Sequence, residues 1–217
     1  MSMVSRVGAL TLLAALAVVV SASARSTAPG AVYTIQGDPR MCPSPFCGGY
    51  WVALANGART RCADGAQAPR CYVARAVDVE RRPVTIPTGG LVRATLESSE
   101  TGDLGKLGVV VVSIAYAPAG TVAVTGGYYR LVDMGIRCIR APCFSYRATQ
   151  INGSTRTTMS DLDLASSGAT PAEIARANAA LGSANGLLVR GRFAKTPNGG
   201  RVFRASRLFL RAQLPRA

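Results

Sequence analysis

The chain has 217 residues, with 25 lysines and arginines against 11 acids, a formal net charge of +14, and no histidine. The missing histidine excludes Ser-His-Asp and Cys-His nucleophile arrangements and most catalytic zinc sites. The six cysteines form an even set, and in an exported chain such a set reads as disulfides.

Met1–Arg6 carries one positive charge, Val7–Val20 is continuously apolar, and Ser21-Ala22-Ser23-Ala24 offers small residues for cleavage. This is the pattern of a secretory signal peptide over 1–24, cut after Ala24. The apolar run is short of the roughly 20 residues a membrane span needs. The mature protein is therefore expected in the periplasm or outside the cell, with no transmembrane segment.

Beyond the signal, strand signals dominate. Ala31–Ile35, Gly49–Ala55, Tyr72–Val79 and Leu91–Glu97 are rich in Val, Tyr and Trp. Gly108–Tyr116 is nearly all apolar and reads as a strand covered on both faces. The segment between the last two is polar and contains glycine, which predicts a hairpin. A second hairpin is predicted from Leu187–Phe193, the turn signal Asn198-Gly199 and Val202–Leu210. Thr170-Pro171-Ala172-Glu173 is a capping box with proline at the first helical position. Ile174, Ala177 and Leu181 follow at helical spacing, and Gly182 can close the helix. The fold class is thus mainly β (α+β), with one short helix.

An internal repeat organises the chain. Tyr33, Cys42, Cys47, Tyr50, Asn56 and Gly57 recur as Tyr129, Cys138, Cys143, Tyr146, Asn152 and Gly153, each displaced by the same interval. Ala76-Val77-Asp78-Val79 is matched with Asp161-Leu162-Asp163-Leu164, and Leu91-Val92-Arg93 with Leu188-Val189-Arg190. The layout is two tandem β-rich repeats, 25–120 and 121–217, with the helix in the second. Because the second repeat holds only Cys138 and Cys143, these pair with each other. By internal analogy Cys42 pairs with Cys47, leaving Cys62 with Cys71. Structural zinc and redox motifs use tighter C-x2-C spacing, so each pair reads as a staple. No metal or cofactor is called for.

Charge is uneven. Residues 25–120 carry 10 basic and 7 acidic side chains, whereas 121–217 carry 14 and 4. Arg190, Arg192, Lys195, Arg201, Arg204, Arg207, Arg211 and Arg216 crowd the closing hairpin. If several share one sheet face they suit an anionic partner such as an acidic polysaccharide, lipopolysaccharide or extracellular DNA. Arg204 and Arg207 are three apart and would fall on opposite faces of a regular strand. The stapled loops are a second candidate, since a closed loop has little ordering entropy left to lose on binding. Arg140-Ala141 within the Cys138–Cys143 loop has the makings of a protease-inhibitor loop. Asp161 and Asp163 share a strand face but match Ala76 and Asp78, so they read as a solvated face. Tyr50, Trp51 and Tyr146 are expected to pack the core beside the staples.

The stretches from Asp38 to Val79, containing CGGYWV and TRCADG, and from Tyr128 to Gly153 resemble the two signature blocks of a family of exported bacterial proteins. That family is catalogued as a domain of unknown function. The resemblance spans roughly 31–211 and implies the signal peptide, the disulfide framework and the tandem layout. Neither it nor the residues imply catalysis, and a non-enzymatic binding or structural module is the expectation.

Overall fold

A computed structural model describes residues 30–215; the signal expected over 1–24 and Arg216 lie outside them. β-Branched and aromatic residues fill the extended runs, and strands carry the fold. In the first half these are β1 (Ala31–Gly37), β2 (Tyr50–Leu54), β3 (Thr60–Arg61), β4 (Gln67–Ala68), β5 (Cys71–Val73), β6 (Arg75–Asp78), β7 (Leu91–Glu100) and β8 (Lys106–Ala119). In the second they are β9 (Gly127–Asp133), β10 (Tyr146–Gln150), β11 (Arg156–Met159), β12 (Asp161–Asp163), β13 (Leu187–Lys195) and β14 (Arg201–Ala212). Helix α1 (Pro171–Leu181) sits between β12 and β13, and Thr170 caps it with the full capping box.

All strands but the β3–β4 ribbon join one 12-stranded sheet. From its centre outward the order is β8-β7-β1-β2-β5 one way and β14-β13-β9-β10-β11 the other, with β8 and β14 antiparallel at the middle. β6 runs parallel along β8, and β12 parallel along β14. Strands of the two halves therefore occupy the same relative places. Each central hairpin has a register shift at the same point, between Arg93 and Ala94 and between Arg190 and Gly191. The residue left over is a serine both times. Ser113 Oγ donates to Arg93 O at 3.0 Å, and Ser206 Oγ to Arg190 O at 3.2 Å.

The ladders shift one sequence match. Arg75 lies opposite Val109 as Asp161 lies opposite Val202, so Asp161 corresponds to Arg75 and Asp163 to Val77. The alignment of Asp78 with Asp163 is one residue out, because similar alternating residues allow either register and the pairing decides.

The recurring asparagines join the halves. Val32 N–H donates to Asn152 Oδ1 at 2.9 Å, and Asn152 Nδ2 donates to the carbonyls of Val32 and Ala55 at 2.6 and 2.9 Å. Reciprocally, Tyr128 N–H donates to Asn56 Oδ1 at 2.8 Å, and Asn56 Nδ2 donates to Tyr128 O and Ile151 O at 2.7 and 3.0 Å. Both asparagines have positive φ, 63° and 57°, a conformation asparagine tolerates better than other residues with a Cβ. The central strands β9-β13-β14-β8-β7-β1 thus curl until the starts of β1 and β9 are bridged by side chains. Inside that curl lies a shared core of Val32, Ala55, Leu91, Tyr116, Ile151, Leu188 and Phe209. Fully burying one such aliphatic side chain stabilises by about 1.5–3 kcal/mol.

Each half also has its own core. Ile35, Val52, Val73, Val92, Val110 and Val112 pack in the first, with Val84 and Ile86 from the Pro-rich segment between β6 and β7. In the second, Leu131, Met159, Val189, Phe203 and Leu208 pack with Ala177 and Leu181 of α1. The helix covers one face of the second half's strands. Val109–Val112 are all buried, in keeping with a strand covered on both faces.

Candidate functional site: an arginine face on the second half

The ladders decide which arginines share a face, since directly opposed residues point the same way and alternate residues repeat the direction. Across β11, β10 and β9, Arg156 stands opposite Thr149 and Thr149 opposite Arg130, while Arg147 stands opposite Val132. Across β9, β13 and β14, Tyr128 faces Arg190, Arg190 faces Arg207 and Arg192 faces Arg204. Arg211 follows two residues after Phe209 on that side. One face therefore carries Arg130, Arg147 and Arg156 from the outer strands and Arg190, Arg192, Arg204, Arg207 and Arg211 from the hairpin. The opposite face carries Leu131, Ala148, Val189 and Phe203 beneath α1.

This revises the arginine pattern read from the sequence. Arg204 and Arg207 lie on the same face, not opposite ones, because the bulge at Ser206 takes up one residue between them. Arg201, opposed to Lys195, falls on the other face. The sequence reading missed Arg130, Arg147 and Arg156; the alternation within Tyr128–Val132 and Tyr146–Gln150 is the signal that could have found the first two, while Arg156 joins them only through the pairing of β11 with β10.

The arginines of this face differ in their engagement. Arg190 donates from Nε to Gly126 O at 2.9 Å and from Nη1 to Tyr128 Oη at 3.2 Å, with its guanidinium 4.9 Å from the Tyr128 ring centre. Arg207 donates to the carbonyls of Gly120 and Val122. These two fasten the connection between the halves to the sheet. The connection fits closely: a Cβ on Gly126, whose φ is +84°, would lie 1.9 Å from Gly191 O. Arg156, Arg192, Arg204 and Arg211 are exposed, and Arg130 and Arg147 half-buried. Among the described residues no arginine of this face is in an ion pair. Asp161 and Asp163 border the face along β12, with Asp163 in register with Arg204. Arg192 and Arg204 line a hollow of about 310 Å³ with Thr125, Asp163 and Ser166.

The disulfides join Cys42 to Cys47, Cys62 to Cys71 and Cys138 to Cys143. The two matching loops, Cys42–Cys47 and Cys138–Cys143, are each anchored by an acid and an arginine. The Asp38 carboxylate accepts from Arg40 Nε and Nη2 and from Trp51 Nε1, and the Arg40 hydrogen bonds lead in holding it down at about 2. Arg40 also donates to Phe46 O inside the loop at 2.8 Å. In the second half Asp133 is held below the usual carboxylate range, chiefly by Arg137 and then by the Gly135 N–H. Tyr50 and Tyr146 pack against the cores. Trp51 does not: it alternates to the other face, with the Arg40 and Arg70 guanidinium carbons 5.1 and 4.5 Å from its ring centre. Arg140 and Ala141 are exposed in a tight bend over 139–142.

Among the described residues no group of three or more His, Cys, Asp or Glu side chains is placed to hold a metal ion, and no helix is long and apolar enough to cross a membrane. No curated protein and no solved structure matches the chain. Residues 31–214, which include the stapled hairpins, both asparagines and the arginine face, match the family described as Domain of unknown function (DUF6748), and the chain belongs to that family.

Proposed function

We propose that this is a non-enzymatic binding module of the periplasm or cell exterior, built of two copies of one unit (25–120 and 121–217), whose second copy binds an anionic polymer. The copies' matching strand orders, bulges and asparagines support the duplication, and the disulfides support an oxidising compartment. One observation carries the binding role: the pairing of β11-β10-β9-β13-β14 gathers arginines from all five strands on one face, without ion-pair partners among the described residues. The corresponding first-half positions hold Trp51, Thr34, Thr95, Val111 and Ile114 in place of Arg147, Arg130, Arg192, Arg204 and Arg207. Guanidinium groups donate in a planar fork that matches carboxylate, sulfate and phosphate oxygens. Acidic polysaccharide, lipopolysaccharide and extracellular DNA all present such groups in series.

The test is affinity for duplex DNA and for a polyuronate over a salt series. Binding through this face gives a steep fall of log affinity with log salt, about 0.9 per phosphate neutralised on DNA. Replacing Arg147, Arg156, Arg192 and Arg204 by serine then lowers that slope by about 3.6 on DNA. An unchanged slope overturns the reading.

A second reading, a disulfide-braced protease inhibitor presenting the Cys138–Cys143 loop, rests on the exposure of Arg140 in a closed bend. It requires stoichiometric titration of a trypsin-like protease that Arg140→Ala abolishes.

A further inference from the structure

The end of the second half opposite the asparagine brace has a character that the arginine face does not explain. Ile139 is fully exposed, at 102%, and Ile136 and Phe144 beside it are exposed at 45% and 37%. The Cys138–Cys143 bond holds these side chains out on a closed loop. The loop rests against the β13–β14 turn, since Ala141, Pro142 and Cys143 line one hollow with Thr196, Pro197 and Asn198. That turn is flanked by Lys195 and Arg201, the basic pair on the face away from the other arginines. Arg140, Lys195 and Arg201 are exposed and outside every ion pair among the described residues. Arg137 is matched by Asp133, and Asp161 is the exposed carboxylate that borders the hollow.

An apolar tip ringed by cations is the pattern of a side chain that enters the acyl boundary while its neighbours meet anionic headgroups. The first half provides an internal contrast. Its loop also exposes apolar side chains, Met41 and Phe46, but Arg40 is matched by Asp38 and Lys106 by Glu100. Apolar exposure is common to both ends, but the first half's cations outside an ion pair there, Arg70 and Arg75, are taken up by the Trp51 ring and by Ser99 Oγ, whereas Arg140 and Lys195 have no such side-chain contact among the described residues.

From this we infer that the Cys138–Cys143 loop docks the protein on an anionic lipid surface, with Ile139 inserted and Arg140, Lys195 and Arg201 at the headgroups. The inference does not depend on the polymer-binding face. The test is flotation of oxidised residues 25–217, which contain the whole described fold and its cores, with vesicles of phosphatidylcholine alone or containing phosphatidylglycerol. The protein floats with the phosphatidylglycerol vesicles and not with the others. Ile139→Ser weakens that binding at least about tenfold, the scale set by burying one isoleucine side chain, whereas Met41→Ser leaves it unchanged. Because Ile139 is fully exposed, its serine variant keeps the wild-type thermal midpoint and the wild-type affinity for DNA. No flotation of the wild type, or equal flotation of Ile139→Ser, overturns the docking while leaving the polymer reading to its own test.

Discussion

Asn152→Ala removes one arm of the brace between the halves. Three hydrogen bonds go, to Val32 N–H, Val32 O and Ala55 O, at a net of about 1 kcal/mol each. Val32 O keeps the Ala55 N–H at 3.0 Å, but Val32 N–H is left unpaired. Alanine must also hold φ near 57°, which costs roughly 1 kcal/mol more. The sum is about 4 kcal/mol, large for a single substitution. Asn152→Gly accepts the backbone conformation and should cost about 3 kcal/mol, the hydrogen-bond part alone. Asn152→Asp keeps the acceptor for Val32 N–H but sets an oxygen against two carbonyls, and should be no better than glycine. Asn56 makes the matching bonds, so its variants should follow the same order with similar sizes. Urea unfolding of the oxidised protein measures all of these. Losses below about 1 kcal/mol for both alanine variants, or a loss at one asparagine only, would refute the reciprocal brace.

The other predictions concern the loops and the helix. Asp38 has its folded pKa depressed to about 2, so its contribution is present above the unfolded value near 3.9 and is lost as pH falls towards 2. Trp51, the one tryptophan, donates to Asp38; its emission should titrate in that window, and Asp38→Asn should abolish the transition. Replacing both Cys138 and Cys143 by serine should lower stability by about 2 kcal/mol, from the loop-closure entropy of so short a ring; no loss on denaturant unfolding would contradict a staple role. Thr170→Ala breaks the capping box and should cost about 1 kcal/mol, read by the same unfolding assay.

Much of this was legible in the sequence because it rests on local chemistry. The Thr170 cap, Pro171 at the first turn and Leu181 at the last mark α1 by themselves. The staples follow from cysteine number and the repeat. What escaped depends on pairing. Asn56 and Asn152 are visible as recurring Asn-Gly turns, yet nothing local says that each side chain reaches the other half. The side of Arg207 relative to Arg204 turns on one bulged serine. Arg130, Arg147 and Arg156 are scattered along the chain and meet Arg192 and Arg204 only through strand order. Trp51 reads as core by its apolar bulk, but alternation sends it outward, where Arg40 and Arg70 cover its ring.

The central claim is that an organised face, and not net charge, engages polyanions. The direct measurement compares two charge-matched variants on an immobilised polyanion across a salt gradient. One loses Arg147, Arg156, Arg192 and Arg204 from the face; the other loses Arg59, Arg61, Arg75 and Arg176, all exposed and outside it. The account predicts that the first elutes at far lower salt than the wild type and the second close to it. Equal elution of the two variants would contradict it, because their net charge is the same and only the arrangement differs.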